Sequence, residues 1–191
     1  MFKRILLIFL VIFLFLLINL LISVFLVRNR LDVQTYGVGF KNLDKPLTFN
    51  FIPMHDNINI FVFTMKNPGL ENKERFSMKV YNNNRILLRN VDFSGFNIGD
   101  PVDLKLQFEP IADVKDQTLV IEITGESYSK PIQINVDDNG NPSLRSYYRT
   151  SNKNEAFTEW INGWGDKIVS NIGFFLIWGI ILVIVLRFID K

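Results

Sequence analysis

The sequence predicts an all-β protein: an antiparallel, jelly-roll-like sandwich between two transmembrane helices. Three observations support this prediction. Short segments of alternating polarity fill the middle of the chain, turn-forming residues separate them, and a long apolar run stands near each end. A period of two places one face of a strand in a core and the other in water. Many such strands separated by turns are typical of a β-sandwich.

The clearest β pattern lies in Pro101–Gly125. Apolar residues alternate with charged or polar ones from Val102 to Glu109, and the alternation resumes over Thr118–Thr124 after the polar run Asp113–Asp116. One face of each segment is therefore expected in the core. The pattern predicts a half-buried β-hairpin within an antiparallel sheet.

The first apolar run covers residues 5–27 and follows a short basic segment, residues 1–4. At about 1.5 Å per residue, a helix of this length crosses a hydrocarbon core of roughly 30 Å. A cleaved signal peptide would have a shorter apolar region and small residues before its cleavage site. Val24, Phe25, Leu26 and Val27 form a poor cleavage site. We therefore predict an uncleaved signal anchor.

The second apolar run covers residues 168–186, and the charged residues Arg187, Asp190 and Lys191 follow it in the segment 187–191. Just before it, residues 155–167 have a helical apolar period and place Trp160 and Trp164 four positions apart, on one helical face. Tryptophan beside a span is typical of the membrane interface. We predict an interfacial amphipathic segment followed by a terminal transmembrane helix.

Basic residues flank both ends of both apolar runs. Lys3, Arg4, Arg187 and Lys191 lie at the outer ends, and they slightly outnumber the basic residues at the inner ends. Cytoplasmic loops carry the excess of lysine and arginine. The prediction is therefore two cytoplasmic termini, residues 1–4 and 187–191, with residues 28–154 outside the cell membrane.

Between the two runs the pattern is β throughout, with turn-forming residues such as Asn67-Pro68-Gly69 between the segments. The predicted strands are Leu31–Phe40, Leu47–Phe51, Asn57–Met65, Arg75–Tyr81, Arg85–Val91, Val102–Glu109, Thr118–Thr124, Pro131–Val136 and Ser143–Arg149.

Charge and cysteine content exclude several classes of function. Between Arg28 and Lys167 there are 17 basic and 18 acidic side chains, so the middle region is nearly neutral. Nucleic-acid partners require a basic surface, and none is predicted here. The absence of cysteine excludes disulfides, thiolate metal sites and a cysteine nucleophile.

Candidate chemical groups are few. His55 is the single histidine, and with Asp56 it fits either a polar ligand pocket or a turn that enters a strand. The turn is favoured, because no second metal ligand or nucleophile accompanies the histidine. The loop Asp137–Asn141 lacks the ligand spacing of a calcium site and fits a tight turn at Gly140. We predict no cofactor, no metal and no enzymatic activity.

Aromatic side chains near turns are candidate sugar contacts, since a pyranose stacks its apolar face on an aromatic ring. Tyr128 is one such residue. Tyr147 and Tyr148 are adjacent, so at most one of them points into the sheet interior. The other, with Arg149 beside it, is the predicted exposed contact.

Several segments follow one another along the chain: Phe51-x-Pro53-x-His55-Asp56-Asn57-Ile58, Phe63-Thr64, Phe76 to Tyr81, Leu106-x-Phe108-Glu109-Pro110-Ile111-x-Asp113, Ile121-x-Ile123-x-Gly125 and Tyr147-Tyr148-Arg149. In this order they resemble a jelly-roll module of bacterial membrane proteins. That module is similar to discoidin-like carbohydrate-binding folds and often forms an outer domain of multi-span glycosyltransferases. The chain departs from it in the short segment Ser129–Asn141 and in lacking a multi-span catalytic region.

The resemblance implies a non-catalytic module outside the bacterial plasma membrane that binds cell-envelope carbohydrate or glycolipid. Its implied partners are membrane lipid and an envelope carbohydrate. The alternative is a structural or accessory subunit that packs against a multi-span membrane protein such as a glycosyltransferase. A similar fold does not establish a function, which has to be argued from the chemistry of a particular site.

Overall fold

The computed structural model describes residues 29–127, 130–150 and 152–170, together with residues 10, 13–14, 17–18 and 20–21, which are helical. The chain divides into two compact units, one of which is Asn29–Arg149. Most of the predicted spans 5–27 and 168–186, and the termini 1–4 and 187–191, lie outside the described residues. Among the residues that are described, no helix is long and apolar enough to cross a membrane.

Ten strands and two short 3-10 turns make up the described part of Asn29–Arg149. The strands are β1 (Asn29–Gln34), β2 (Gly39–Leu43), β3 (Leu47–Phe51), β4 (Ile58–Lys66), β5 (Arg75–Tyr81), β6 (Leu87–Ser94), β7 (Val102–Ile111), β8 (Leu119–Gly125), β9 (Ile132–Val136) and β10 (Leu144–Arg149). The 3-10 turns are Pro68–Leu70 and Gly95–Asn97.

Two antiparallel sheets form the sandwich. One sheet, called the continuous sheet below, has the order β3-β8-β5-β6. The other has the order β1-β10-β4-β9-β2, with β7 also paired to β4. It is called the broken sheet below, because two of its strand positions are each filled by two shorter strands that lie along one line with a gap between them.

The interruptions follow from the register. β9 and β10 are both antiparallel to β4, with Ile134 opposite Met65 and Leu144 opposite Phe63, so they lie along one line. β1 and β2 pair with β10 and β9 in the same way and form a second interrupted line. If β1 and β2 together are counted as strand 1, β3 to β8 as strands 2 to 7, and β9 and β10 together as strand 8, the broken sheet has the order 1-8-3-6. The continuous sheet then has the order 2-7-4-5. This is the eight-strand, two-sheet arrangement of a jelly roll.

The core lies between the two sheets and is built from alternate positions of their strands. Phe61 and Phe63 on β4 are fully buried, and Phe51 packs edge-to-face on Phe61 at 5.2 Å between ring centroids. The β7 residue Leu106 and the β8 residues Ile121 and Ile123 extend this cluster. Sheet pairing thus places the predicted apolar faces of both segments of Pro101–Gly125 in one core.

The all-β sandwich is confirmed, and the predicted strands Leu47–Phe51 and Arg75–Tyr81 are found with those bounds. The predicted strand Leu31–Phe40 is wrong in its continuity, because the chain leaves the ladder between Gln34 and Gly39. There Val38 N–H donates to Val136 O at 2.8 Å instead of continuing the pairing of β1 with β10.

The hairpin predicted for Pro101–Gly125 is wrong. Its first strand, β7, pairs with β4, and its second, β8, pairs with β3 and β5 in the other sheet. The period of two fixes which face of a strand is buried but not which strand is its neighbour. The connection instead crosses between the sheets, with positive φ at Asp113 (54°) and Asp116 (58°).

The helix α1 (Lys153–Ser170) contains the predicted helical segment Glu155–Trp164. Asn152 caps it, since its Oδ1 accepts a hydrogen bond from Glu155 N–H at 2.8 Å. The prediction that Trp160 and Trp164 share a face is confirmed by their ring centroids, 6.3 Å apart.

Candidate functional site

His55 and Tyr148, two of the predicted contact residues, meet face to face. Their ring centroids are 4.1 Å apart, and the planes differ by 4°. Tyr148 is 1% exposed, and the neighbouring Tyr147 is half-buried on the opposite face of β10. The prediction that only one of the two tyrosines lies in the interior is confirmed.

A fully buried carboxylate, Asp32 on β1, fixes the position of His55. Asp32 Oδ1 lies 2.9 Å from His55 Nδ1 and also accepts Met54 N–H at 3.1 Å. Its Oδ2 accepts the Ser146 hydroxyl at 3.0 Å. The hydroxyl is thus bonded to the carboxylate and not to the imidazole, unlike the serine of a hydrolytic triad. This cluster ties β1, the loop before β4 and β10 together.

The remaining predicted residues are separate from one another. Asp56 accepts the backbone N–H groups of Val114 and Lys115, each at 2.8 Å, and so anchors the crossover between β7 and β8. Arg149 has an exposed side chain, and its backbone N–H donates to Asn57 O at 3.0 Å. Tyr128 lies outside the described residues. The structure therefore brings His55 and Tyr148 together without joining the six residues into one cleft.

A different site opens where the broken sheet is interrupted. A cleft of about 270 Å³, called the break cleft below, lies beside the gap between β1 and β2 and the gap between β9 and β10. Its lining residues come from these gaps, from the adjoining parts of β1, β9 and β10, and from β4 and β7: Gln34, Thr35, Tyr36, Gly37, Val62, Thr64, Asp103, Asn135, Ser143, Leu144 and Arg145.

An ion pair supported by a hydroxyl lines the cleft. Arg145 Nη2 lies 2.5 Å from Asp103 Oδ2, and the Thr64 hydroxyl donates to Asp103 Oδ1 at 2.7 Å. The Thr64 hydrogen bond has the largest effect and lowers the pKa of Asp103 below its ordinary value of 3.8. Burial opposes it, and the hydrogen bond and charge of the Arg145 guanidinium lower the pKa further. Asp103 is therefore a carboxylate at neutral pH.

One aromatic side chain, Tyr36, lines the cleft, and a second, Phe40, belongs to the residue paired with the lining residue Asn135. Tyr36, in the gap between β1 and β2, is 76% exposed. Phe40 on β2 lies beneath the ammonium group of Lys66, which is 4.6 Å from the ring centroid. Since Lys66 already covers Phe40, the ring of Tyr36 is the more open of the two surfaces for a ligand.

One wall of the cleft depends on a glycine. A Cβ added to Gly37 would lie 2.0 Å from Asn135 Oδ1, so the amide of Asn135 occupies the space that any larger residue at position 37 would need. That Oδ1 is buried and has no hydrogen-bond partner within the described residues. Buried polar atoms normally have a hydrogen-bond partner, so the unpaired Asn135 Oδ1 is a local energetic cost at this wall.

The cleft thus combines an open aromatic ring with amide, hydroxyl, carboxylate and guanidinium groups. Such a set binds small polar molecules by stacking and directed hydrogen bonds. No group of three His, Cys, Asp or Glu side chains able to hold a metal occurs in the described residues.

Tyr36, Asp103 and Arg145 were not singled out from the sequence. Only the outward direction of Asp103 was readable from the sequence, because Asp103 alternates with the apolar residues Val102 and Leu104. The signal that was lacking is the pairing of β4 with both β7 and β10, which brings Asp103 and Arg145 together.

No family model matches the chain, and no curated protein matches it. Among solved structures the chain is similar to the carbohydrate-binding module TmCBM61 in its complex with beta-1,4-galactotriose. The two share 12% sequence identity with a TM-score of 0.37, over 58% of this chain and 69% of that chain.

Proposed function

We propose that Asn29–Arg149 is a non-catalytic binding module for carbohydrate and that the break cleft holds the sugar. The observation that carries this proposal is the open ring of Tyr36 beside the hydrogen-bonding groups of Gln34, Asp103 and Arg145.

A sugar ring is complementary to such a surface. Its C–H face is apolar and covers an aromatic ring, while its edge carries hydroxyl groups that both donate and accept hydrogen bonds. Tyr36 supplies the first surface. Gln34 offers an amide with both donors and an acceptor, and the Arg145–Asp103 pair offers both as well.

For the whole chain we propose display on the outside of the bacterial plasma membrane. The support is in the sequence: the apolar runs 5–27 and 168–186 are each long enough for a span, and basic residues flank their outer ends. Envelope carbohydrate is then the ligand within reach of the module, and membrane lipid surrounds its anchors.

The direct test uses the full chain purified in mild detergent and a panel of immobilised polysaccharides. Tyr36→Ala should weaken binding at least tenfold, because it removes the stacking surface. Tyr81→Ala is the matched control, since Tyr81 lies on the outer face of the continuous sheet, where its hydroxyl donates to Glu122 at 3.1 Å. Circular dichroism should report the same fold for both variants.

Binding that survives Tyr36→Ala unchanged, or that is lost equally with Tyr81→Ala, would remove the break cleft as the site. A protein that retains no polysaccharide and copurifies in fixed ratio with a multi-span membrane protein would favour the accessory-subunit alternative. A reporter fused after Lys191 that is active only outside the cell would contradict the proposed orientation.

A further inference from the structure

We infer that the Arg145–Asp103 pair recognises two adjacent hydroxyl groups on an uncharged sugar ring. The inference rests on the proposed function and narrows its ligand class to glycans whose units within the chain keep two free neighbouring hydroxyls.

The pair is held on three neighbouring strands of the broken sheet. Arg145 lies on β10, Thr64 on β4 and Asp103 on β7, with Thr64 directly opposite Asp103 in the register. The Thr64 hydroxyl occupies Asp103 Oδ1 at 2.7 Å and leaves Oδ2 facing Arg145. A site built on paired strands keeps its geometry better than one on a loop.

Both members of the pair have hydrogen-bonding capacity to spare. A guanidinium carries five N–H donors, and Arg145 uses Nη2 alone for a partner among the described residues. Each oxygen of Asp103 accepts one described hydrogen bond and can accept a second. The side chains are 33% and 52% exposed, and both line the break cleft, so a ligand can reach them.

A spare donor beside a spare acceptor is the complement of a vicinal diol. One hydroxyl oxygen accepts from Arg145, while its neighbour donates to Asp103. Adjacent gauche hydroxyl oxygens on a pyranose lie about one hydrogen-bond length apart, roughly 2.8 Å. Arg145 Nη2 and Asp103 Oδ2 are direct hydrogen-bond partners, so they present a donor and an acceptor at comparable spacing.

The charge of the pair favours an uncharged ligand. The two formal charges cancel where the ligand would bind, so a sugar carboxylate would meet Asp103, and an amino sugar would meet Arg145. The nearby cation Lys66 lies 3.8 Å from Asp100 and covers the ring of Phe40. Binding should therefore depend little on salt concentration, in contrast to attraction between net charges.

The competing account is a surface ion pair that only stabilises the sheet. Exposed pairs of this kind contribute little to stability. That account therefore predicts no effect of Asp103→Ala on ligand choice, whereas recognition of a diol predicts a large one.

The test groups uncharged linear polysaccharides by linkage and measures their binding to the full chain in mild detergent. Within a 1,4-linked chain each hexopyranose keeps adjacent hydroxyls at positions 2 and 3, whereas within a 1,3-linked chain it keeps none. We expect at least tenfold tighter binding to the 1,4-linked group, with no gain for polyuronates of the same linkage. Equal binding to 1,3-linked chains, or a preference for polyuronates, would overturn the inference and leave the proposed function standing.

Variants separate the pair from its surroundings. Asp103→Ala and Arg145→Gln should each weaken binding to 1,4-linked chains at least tenfold, and the double variant should lose little more, because both remove one shared contact. Asp92→Ala, on the outer face of the continuous sheet, is the control and should bind as the unchanged protein. Normal binding by Asp103→Ala would also overturn the inference. Failure of the unchanged protein to bind any polysaccharide would instead reject the proposed function, and the inference with it.

Discussion

The outer faces of the two sheets differ in how their polar side chains are satisfied. On the continuous sheet, neighbours pair across the strands: Ser77 and Thr124 hydroxyls lie 3.0 Å apart, and Tyr81 donates to Glu122 at 3.1 Å. Burial, with the hydrogen bond and charge of Glu122, raises the pKa of Tyr81 above its ordinary value of 10.0, while Arg85 acts in the opposite direction. On the broken sheet, Arg145 keeps unused donors among the described residues.

The difference follows from continuity of the ladder. In an uninterrupted antiparallel sheet, residues directly opposite each other are close enough to satisfy one another. Where β1 gives way to β2 and β9 to β10, opposite partners are lost, and a cleft takes their place. The break cleft therefore arises at the interruptions, whereas on the continuous sheet the pairs Ser77–Thr124 and Tyr81–Glu122 satisfy one another across the strands.

Side chains replace some of the backbone bonds that the interruptions remove. The Val33 N–H donates to Ser146 Oγ at 3.0 Å, and the Leu144 N–H donates to Thr35 Oγ1 at 2.8 Å. Asp32 then holds Ser146 at 3.0 Å. The broken sheet thus depends on a few polar side chains in a way that the continuous sheet does not.

Asp32→Ala should have the largest effect of the variants that test this difference between the two sheets, and the effect should be on the free energy of unfolding. It leaves Met54 N–H, His55 and the Ser146 hydroxyl without their buried acceptor, which should cost about 3 kcal/mol of unfolding free energy. The measurement is urea unfolding of the full chain in mild detergent, followed by circular dichroism. Asp92→Ala on the continuous sheet should cost under about 0.5 kcal/mol. Equal losses for the two variants would mean that the broken sheet has no special dependence on Asp32.

Gly37→Ala should weaken carbohydrate binding by roughly tenfold, or about 1.4 kcal/mol, with little change in stability. The new methyl group displaces the Asn135 amide, which can rotate away, and so reshapes the wall of the break cleft. Gly39→Ala is a close control, because nothing lies within 4 Å of its added Cβ. Titration with a bound polysaccharide measures both. Identical affinities for the two variants would exclude the Asn135 wall from the site.

The smallest expected effect is on pH dependence. Since the folded pKa of Asp103 is depressed, its carboxylate persists below the ordinary value of 3.8, and its contribution is lost only as the pH falls through the depressed value. Carbohydrate affinity should stay flat from neutral pH down to about pH 4. A decline between pH 7 and 5 that Asp103→Ala abolishes would contradict this assignment.

The sequence was sufficient for the strands that the core specifies. Leu47–Phe51 and Arg75–Tyr81 alternate cleanly, so burial of one face determines where they begin and end. The sequence was not sufficient to predict which strands lie next to each other. The segments of Pro101–Gly125 read as neighbours because a short polar run joins them, yet they lie in different sheets.

The break cleft could not be predicted in the same way. Its residues come from positions as distant in sequence as Tyr36, Asp103 and Arg145, and register alone brings them together. Local alternation also joined β1 and β2 into one strand, which concealed the gap that holds Tyr36. His55 and Tyr148 were predicted as ligand contacts from their residue types. In the structure His55 instead bonds to Asp32 and stacks on Tyr148, and these contacts hold parts of the broken sheet together.

Hydrogen exchange of the full chain with and without a bound polysaccharide compares the two faces directly. Ligand should slow amide exchange around Gln34–Gly37 and Ser143–Arg145, and leave β5 and β8 of the continuous sheet unchanged. Protection confined to β5 and β8, or spread equally over both sheets, would contradict the claim that the interrupted face of the sandwich is the binding face.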